Sequence, residues 1–345
     1  MKKKFKIFDY TWHVPHQYDM MYALRNDCEF YYCINVKSEW DITKRPKPDN
    51  LNLVTHYEPG KYDIAILHLD QSVVLHNQKR EIYVELNKFI KDIPKVVINH
   101  GTPVFPEGFY GSDLCLRQME QHCVTTIKEL LGGNTMVVNS HTAASNKEWG
   151  FGIPIVHGIN VKDWLDLPKE PRVFSALSPL GFDTYYNRDC LVAVSEFLKE
   201  IYGHYLAYAK VNIDTGNSPE DYKNYLGRSL LYLDTSYRTP MNRARTEAFL
   251  SGCCVIQVEG AHDLERWARH KENIVLVPDN PEEIAKVVAY YIEDGYQEAI
   301  KIGQKGKKMA LEHFHPERYR LDWLQVIQRL VRKDTIYFDS PVFID

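Results

Sequence analysis

Within residues 230–256, LLYLDTSYRTPMNRARTEAFLSGCCVI, Thr239, Arg243 and Glu247 have the types and spacing to hold an anionic ligand. Thr239 followed by Pro240 is a helix-start pair, because the hydroxyl accepts from a first-turn amide and proline gives up a donor that has no partner there. The pair predicts a helix from Pro240. Its unpaired amides at Met241 and Asn242, together with the helix dipole, would bind phosphate at the carboxyl end of a strand over 230–234. Arg243 and Glu247 stand one turn apart and share a face, whereas Arg245 is rotated away from both. That spacing fits an exposed ion pair, which contributes only ~0.3–0.5 kcal/mol. It equally fits a ligand site in which Glu247 accepts from a pair of ribose or sugar hydroxyls while Arg243 and the helix amides hold a diphosphate.

A second group, KVVINHGTP at 95–103, ends a strand on His100 before a glycine turn. Imidazole is the side chain best suited to proton handling near neutral pH. A histidine bonded to loop backbone would read the same way. His13 and His16, after the first strand, are further candidates, and His68 in the LHLD run reads as a packing residue at a strand end. No Asp-x-Asp occurs in the chain, so no metal-chelating pair of that kind is expected and no metal ligand is assigned.

These residues need elements to position them. Short apolar runs at 4–9, 30–36, 62–69, 95–100 and 135–140 alternate with helical composition at 17–26, 78–90, 118–131 and 142–149. Such alternation implies a parallel sheet covered on both faces. Residues 45–59, with three prolines and two asparagines, read as a long loop. A second series begins with a strand at 172–177, continues through helices at 188–202 and 219–227 and a strand at 204–210, and reaches 230–256 and a strand at 273–277. Helices over 281–294 and 296–313 close it, a last helix covers 317–332, and 333–345 forms a tail. The fold class is therefore α/β, with two Rossmann-like domains facing across a cleft. Residues 150–164, GFGIPIVHGINVKDW, suit an interdomain hinge, or an ordinary strand and loop inside one sheet.

The 345 residues carry 42 basic and 46 acidic side chains, a net charge of −4, which gives no bulk attraction to nucleic acid and favours a small-molecule ligand. Seven cysteines, an odd number with no Cys-x-x-Cys pair, fit free thiols in a reducing cytoplasm better than a disulfide or zinc framework. The start, MKKKFKIFDYTW, has no long apolar stretch behind its lysines, so an export signal is not expected. No transmembrane segment is expected either, since no run approaches the roughly 18 apolar residues of a membrane span; peripheral membrane contact stays open.

The segment IPIVHGINVKDW resembles the interdomain connector of GT-B fold glycosyltransferases, with His157 where an asparagine is usual and Asn160 where an aspartate is. TEAFLSGCCVI resembles the Glu-Ala-Met-Ala-x-Gly-x-Pro-Val segment of their retaining family four (the group 1 transferases), with Glu247 on its glutamate, Gly252 on its glycine and Cys254 where proline usually sits. The helix after HFHPERY resembles the segment that crosses back to the first domain. The resemblance implies an acceptor domain over 1–152, a nucleotide-sugar domain over 153–315, and a crossing helix and tail over 316–345. The family's acidic pair is Glu, seven residues, Glu; here the first position is Thr239. Its lysine-glycine signature after the first strand of the second domain is missing as well. In its place SPLGFDTYYNR at 178–188 offers Gly181 for close approach and Arg188 as the nearest cation, which also reads as a solvated helix-start arginine. The family commonly has a histidine like His100 facing the cleft near the acceptor or the donor sugar.

The resemblance implies a hexosyltransferase-like enzyme that moves a sugar from a nucleotide-diphosphate sugar to a hydroxyl of a glycan, lipid-linked or small-molecule acceptor, with retention, without metal and with no cofactor beyond the donor. His100, Arg243 and Glu247 would act in catalysis. Gly181, Arg188, Thr239, Met241, Asn242, Arg243 and Glu247 would bind the donor. A sugar-nucleotide epimerase on the same fold would turn over donor alone, and a degenerate nucleotide-sugar-binding partner subunit would bind it without turnover on any acceptor. A two-domain small-ligand binding protein is disfavoured, because such proteins are usually exported.

Overall fold

Strand β1 (Phe5–Tyr10) alternates its side chains between two core layers, Ile7 on one face and Phe8 and Tyr10 on the other. The computed structural model describes residues 3–36, 39–75, 77–103, 116–177, 186–208, 218–239 and 242–332. After β1 come α1 (Val14–Ala23), β2 (Cys28–Cys33), β3 (Leu51–Val54), β4 (Ile64–Leu69), α2 (Gln78–Phe89), β5 (Lys95–Asn99), α3 (Leu116–Leu131), β6 (Thr135–Val138), α4 (His141–Ala144) and β7 (Ile153–Pro154). Their sheet is parallel, ordered β3-β2-β1-β4-β5-β6-β7. Helices cover both faces, so the central strand β4, IAILHL, is buried along its whole length.

The second half contains β8 (Glu170–Ser175), α5 (Arg188–Tyr202), β9 (Leu206–Tyr208), α6 (Pro219–Arg228), β10 (Ser229–Asp234), α7 (Arg243–Leu250), β11 (Cys254–Val258), α8 (Leu264–Trp267), β12 (Val275–Val277), α9 (Pro281–Glu293) and α10 (Tyr296–His313). Its parallel sheet runs β12-β11-β10-β8-β9. Local signals set many ends: Asn280 caps α9 ahead of Pro281, and Gly203 closes α5 in the left-handed region at φ 68°. Helix α11 (Pro316–Arg332) leaves this half and buries Tyr319, Trp323, Leu324, Val326 and Ile327 in the core layer that holds Ile7 and Ile66. The linker presses on its start. A Cβ at Gly158 would sit 2.5 Å from the Tyr319 Cβ, and Arg318 Nη2 donates to the His157 carbonyl at 3.0 Å.

Four sequence expectations change. Residues 45–59 contain β3, whose Leu51 pairs with Phe30 and buries its side chain. Helix α4 stops at Ala144 instead of running to 149, because Ser145 turns to ψ 165° and the Trp149 indole is held at 2.9 Å by the Gly101 carbonyl. Of the two readings of 150–164, Ile153 and Pro154 pair with Val137 and Val138, so the first sheet extends past residue 152 before the chain crosses over. The helix after β10 begins at Arg243 rather than Pro240. Asn242 is its cap, accepting from Ala244 N at 3.1 Å while its own amide donates to Asp234 Oδ2 at 2.9 Å. That second bond anchors the cap to the end of β10 and moves the helix start past Thr239, whose hydroxyl is buried 3.3 Å from Ser236 Oγ.

Candidate active site

Helix α7 starts at the carboxyl edge of the second sheet and presents Arg243 and Glu247 to the first half. The shared face is real, and the pair is not an exposed one. Arg243 and Glu247 form an ion pair, and Arg243 also grips Asp19 of α1 with two bonds, Nε to Oδ2 at 2.6 Å and Nη2 to Oδ1 at 3.1 Å. Glu247 accepts from Tyr222 of α6 at 2.8 Å and from Arg45 Nη2, which reaches over from the β2–β3 loop, at 3.3 Å. The Trp164 ring lies 5.9 Å from the Arg243 guanidinium. Burial raises the pKa of Asp19, and the Arg243 charge offsets part of that rise. Burial and the neighbouring Arg243 charge bring Arg45 down to about 10. Two guanidiniums and two carboxylates thus interlock across the cleft with little water. Arg245 points the other way into the core, fully buried, with Nη1 2.6 Å from Gln257 Oε1.

Across from α7, the carboxyl ends of β1, β4 and β5 bring three side chains into line. Asp9 Oδ1 lies 2.8 Å from His68 Nε2, and His68 Nδ1 lies 2.9 Å from His100 Nε2. Asp9 and His68 are fully buried, while His100 is half-buried at the cleft. Trp12 stacks over both imidazoles, with ring centroids 5.7 Å from each. His16 of α1 meets His100 edge-on at 5.1 Å and lies 3.4 Å from the Tyr319 hydroxyl of α11. Burial and adjacent histidines hold His100 well below the ordinary imidazole pKa and His16 at about 3, so both are neutral near pH 7. His13 instead caps α1 by accepting from His16 N.

The halves also meet beside α4. Asp263, at φ 60°, accepts from His141 N at 3.0 Å, Thr142 N at 2.8 Å and Thr142 Oγ1 at 2.9 Å, capping a helix of the other half. Burial pushes this carboxyl up, but the bond to the His141 ring, Nδ1 to Oδ2 at 3.2 Å, together with the His141 and Thr142 amides outweighs it and holds it at about 2. Arg238 bonds Glu148 and Glu120 nearby, at 2.9 and 2.7 Å.

The structure therefore brings Asn242, Arg243 and Glu247 together on one side of the cleft and sets His100 on the other. Arg188 opens α5, two residues beyond Tyr186, whose carbonyl accepts from Thr235 at 3.2 Å. Gly181, Pro240 and Met241 lie outside the described residues. Thr239 is no helix cap. The residues that sequence reading missed are Asp19, Arg45, Tyr222 and Asp9, together with His68, which bridges Asp9 and His100 instead of merely packing. For Asp9 and His68 the local signal was position, polar side chains at the carboxyl ends of buried strands, where α/β sheets place ligands; Asp19 and Tyr222 lie within α1 and α6 and Arg45 in the β2–β3 loop, and they carried none.

No family model and no curated protein matches this sequence. Solved structures match over nearly all of it. HepE from Anabaena, in complex with UDP-glucose, aligns with a TM-score of 0.64 at 14% identity, covering 94% of this chain and 100% of that one. Sucrose-phosphate synthase from Thermosynechococcus elongatus gives 0.62 at 13%, covering 96% and 100%. A glycosyltransferase from Rickettsia africae gives 0.64 at 13%, again covering 96% and 100%. With its two parallel sheets and the helix that crosses back, the chain has the GT-B fold of these glycosyltransferases. Among the described residues no helix is long and apolar enough to cross a membrane, and Cys28, Cys33, Cys123, Cys190, Cys253 and Cys254 are buried free thiols.

Proposed function

We propose that the protein is a hexosyltransferase-like glycosyltransferase that takes a sugar from a nucleotide-diphosphate donor and passes it, with retention, to a hydroxyl of a glycan, lipid-linked or small-molecule acceptor. The observation that carries this reading is the two-pronged grip of Arg243 on an oxyanion, the Asp19 carboxylate, in the cleft of a GT-B fold. A guanidinium fork that fits a carboxylate also fits a phosphate. Donor binding exchanges Asp19 for the diphosphate on Arg243, and Arg45 for a ribose or sugar hydroxyl pair on Glu247. Asn242 and the neighbouring amides complete the phosphate side, and Arg188 is the candidate second cation. HepE, with the same fold, is described in complex with UDP-glucose, which makes that compound the first donor to try.

Departure of the diphosphate is the difficult event, and stabilisation of its developing charge is the electrostatic contribution that is usually largest. Protein cations supply it here, without metal and with no cofactor besides the donor. A thermal-shift screen over nucleoside diphosphates and their sugars tests the reading, since a ligand at a hundred times its dissociation constant stabilises by ~2.7 kcal/mol. A stabilising donor that is consumed only with an acceptor supports transfer. Absence of any shift across the panel overturns it.

A further inference from the structure

We propose that Asp9, His68 and His100 form a proton relay that makes Nδ1 of His100 the base of the cleft, with Asp9 and His68 as its positioning residues. This rests on the transferase reading. The hydrogen-bond pattern fixes the protons. Gln17 Oε1 accepts from the backbone amides of Trp12 and His13 at 3.0 and 3.2 Å, which sets the orientation of its amide. Its nitrogen then spends both hydrogens on Asp9 Oδ2 at 3.0 Å and the Tyr10 carbonyl at 2.8 Å, the shorter of its contacts, which leaves none for His68 Nε2 at 3.4 Å. Tyr10 N donates to Asp9 Oδ1 at 2.7 Å. A carboxylate that already takes these two donors can only accept, so His68 turns an Nε2–H toward it. With that ring proton on Nε2, His68 Nδ1 is the acceptor that faces His100, which meets it with Nε2–H. Among the described residues the His100 ring bonds through Nε2, and the lone pair on Nδ1 is the one offered to a substrate hydroxyl.

During transfer the acceptor oxygen bonds the anomeric carbon on the face from which the diphosphate departs, which keeps the configuration, and the bond from that carbon to the diphosphate oxygen breaks, its electron pair leaving with the diphosphate. The hydroxyl proton goes to His100 Nδ1. The Nε2 proton of His100 passes to His68 Nδ1, and the positive charge comes to rest 2.8 Å from Asp9. Reversal of the two proton shifts, with release to water, resets the chain. A buried imidazolium is costly without a counter-charge, and Asp9 provides one. The other groups facing His100 favour its neutral form: His16 and His13 at the start of α1, and Lys79 on α2, which is paired with Asp70. Trp12 keeps the two rings in register from above.

The test combines nitrogen-15 spectra of the imidazoles with kinetics of Asp9→Asn and His68→Phe. Wild-type His100 should be the Nε2–H tautomer at pH 7. Asp9→Asn should lower kcat about a hundredfold or more while donor Kd, by calorimetry, stays within about twofold, because removing the counter-charge weakens the base without touching the donor site. Its acid limb in the kcat profile should move to lower pH, since the protonated relay is destabilised. His68→Phe should abolish the single-tautomer signal. A purely structural role would lower thermal stability and leave the limb unmoved. That result, wild-type kcat in both variants, or an Nδ1–H tautomer in the wild type overturns the relay. If no donor binds the wild type, the transferase reading fails, and the wild-type spectra, which need neither a folded variant nor a donor, still decide the relay.

Discussion

Arg243 and Asp19 are 224 residues apart in sequence, and their side chains meet in a two-bond pair across the cleft, at 2.6 and 3.1 Å. Each half of the protein supplies one charge, so the ion pair is also a contact between the halves. It shows the Arg243 guanidinium acting as a two-pronged grip on an oxyanion.

Arg243 and Arg245 should therefore fail in different ways when replaced. Arg243→Ala, made with Asp19→Asn so that no buried carboxylate is left alone, is expected to weaken binding of the diphosphate donor at least tenfold by calorimetry. Arg245→Ala should leave affinity nearly intact and lower the unfolding free energy by ~3–5 kcal/mol, because it strips a buried charge from Gln257 and the nearby Asp234. Equal losses of affinity would contradict this division.

Glu247 and His100 should separate binding from chemistry. Bonds to a charged acceptor contribute ~1.5–3 kcal/mol, so Glu247→Ala should reduce nucleotide affinity at least tenfold. His100→Ala, on the other side of the cleft, should bind nucleotide normally and lose transfer. Paired calorimetry and transfer assays check both, and normal binding by Glu247→Ala would make the α7 pair purely structural.

If Arg243 and Arg45, which both meet Glu247 in the cleft, supply the charge for the departing diphosphate, donor turnover should persist in excess chelator. Complete loss restored by manganese would show that a metal supplies the charge instead. Nuclear magnetic resonance of the product's anomeric proton checks retention in the same reaction.

Asp263 should make the contact between the halves sensitive to acid. Its carboxyl is held at about 2, below its ordinary 3.8. A depressed carboxyl stabilises the folded state fully above its unfolded value, and that stabilisation is lost as pH falls from about 4 toward 2. Asp263→Asn is expected to cost ~2 kcal/mol at pH 7, with the difference from wild type shrinking through that window. Unfolding curves at pH 7, 4 and 3 read it, and a constant difference would assign the contribution to shape rather than charge.

Much of this was legible in the sequence because it depends on local geometry. The 3.6-residue period placed Arg243 and Glu247 on one face and turned Arg245 away. Alternating strands and helices implied two covered parallel sheets, and the helix expected from residue 281 starts there in the fold. What the sequence left undecided depends on strand order. Asp9 and His68 lie on β1 and β4 and His100 directly follows β5, and only the neighbouring of these three strands in the sheet brings their carboxyl ends within one hydrogen-bonded chain. His68 therefore looked like a packing residue in its own run and became a bridge once folded. The start of α7 was misjudged for the same reason, since Thr239 satisfies the local rule for a cap while the bond from Asn242 to Asp234, made in the fold, decides where the helix begins. Arg45 and Asp19 carry no local mark of a site at all. Their role arises where the two halves meet, which buries Asp19 and leaves Arg45 only slightly exposed beside Glu247.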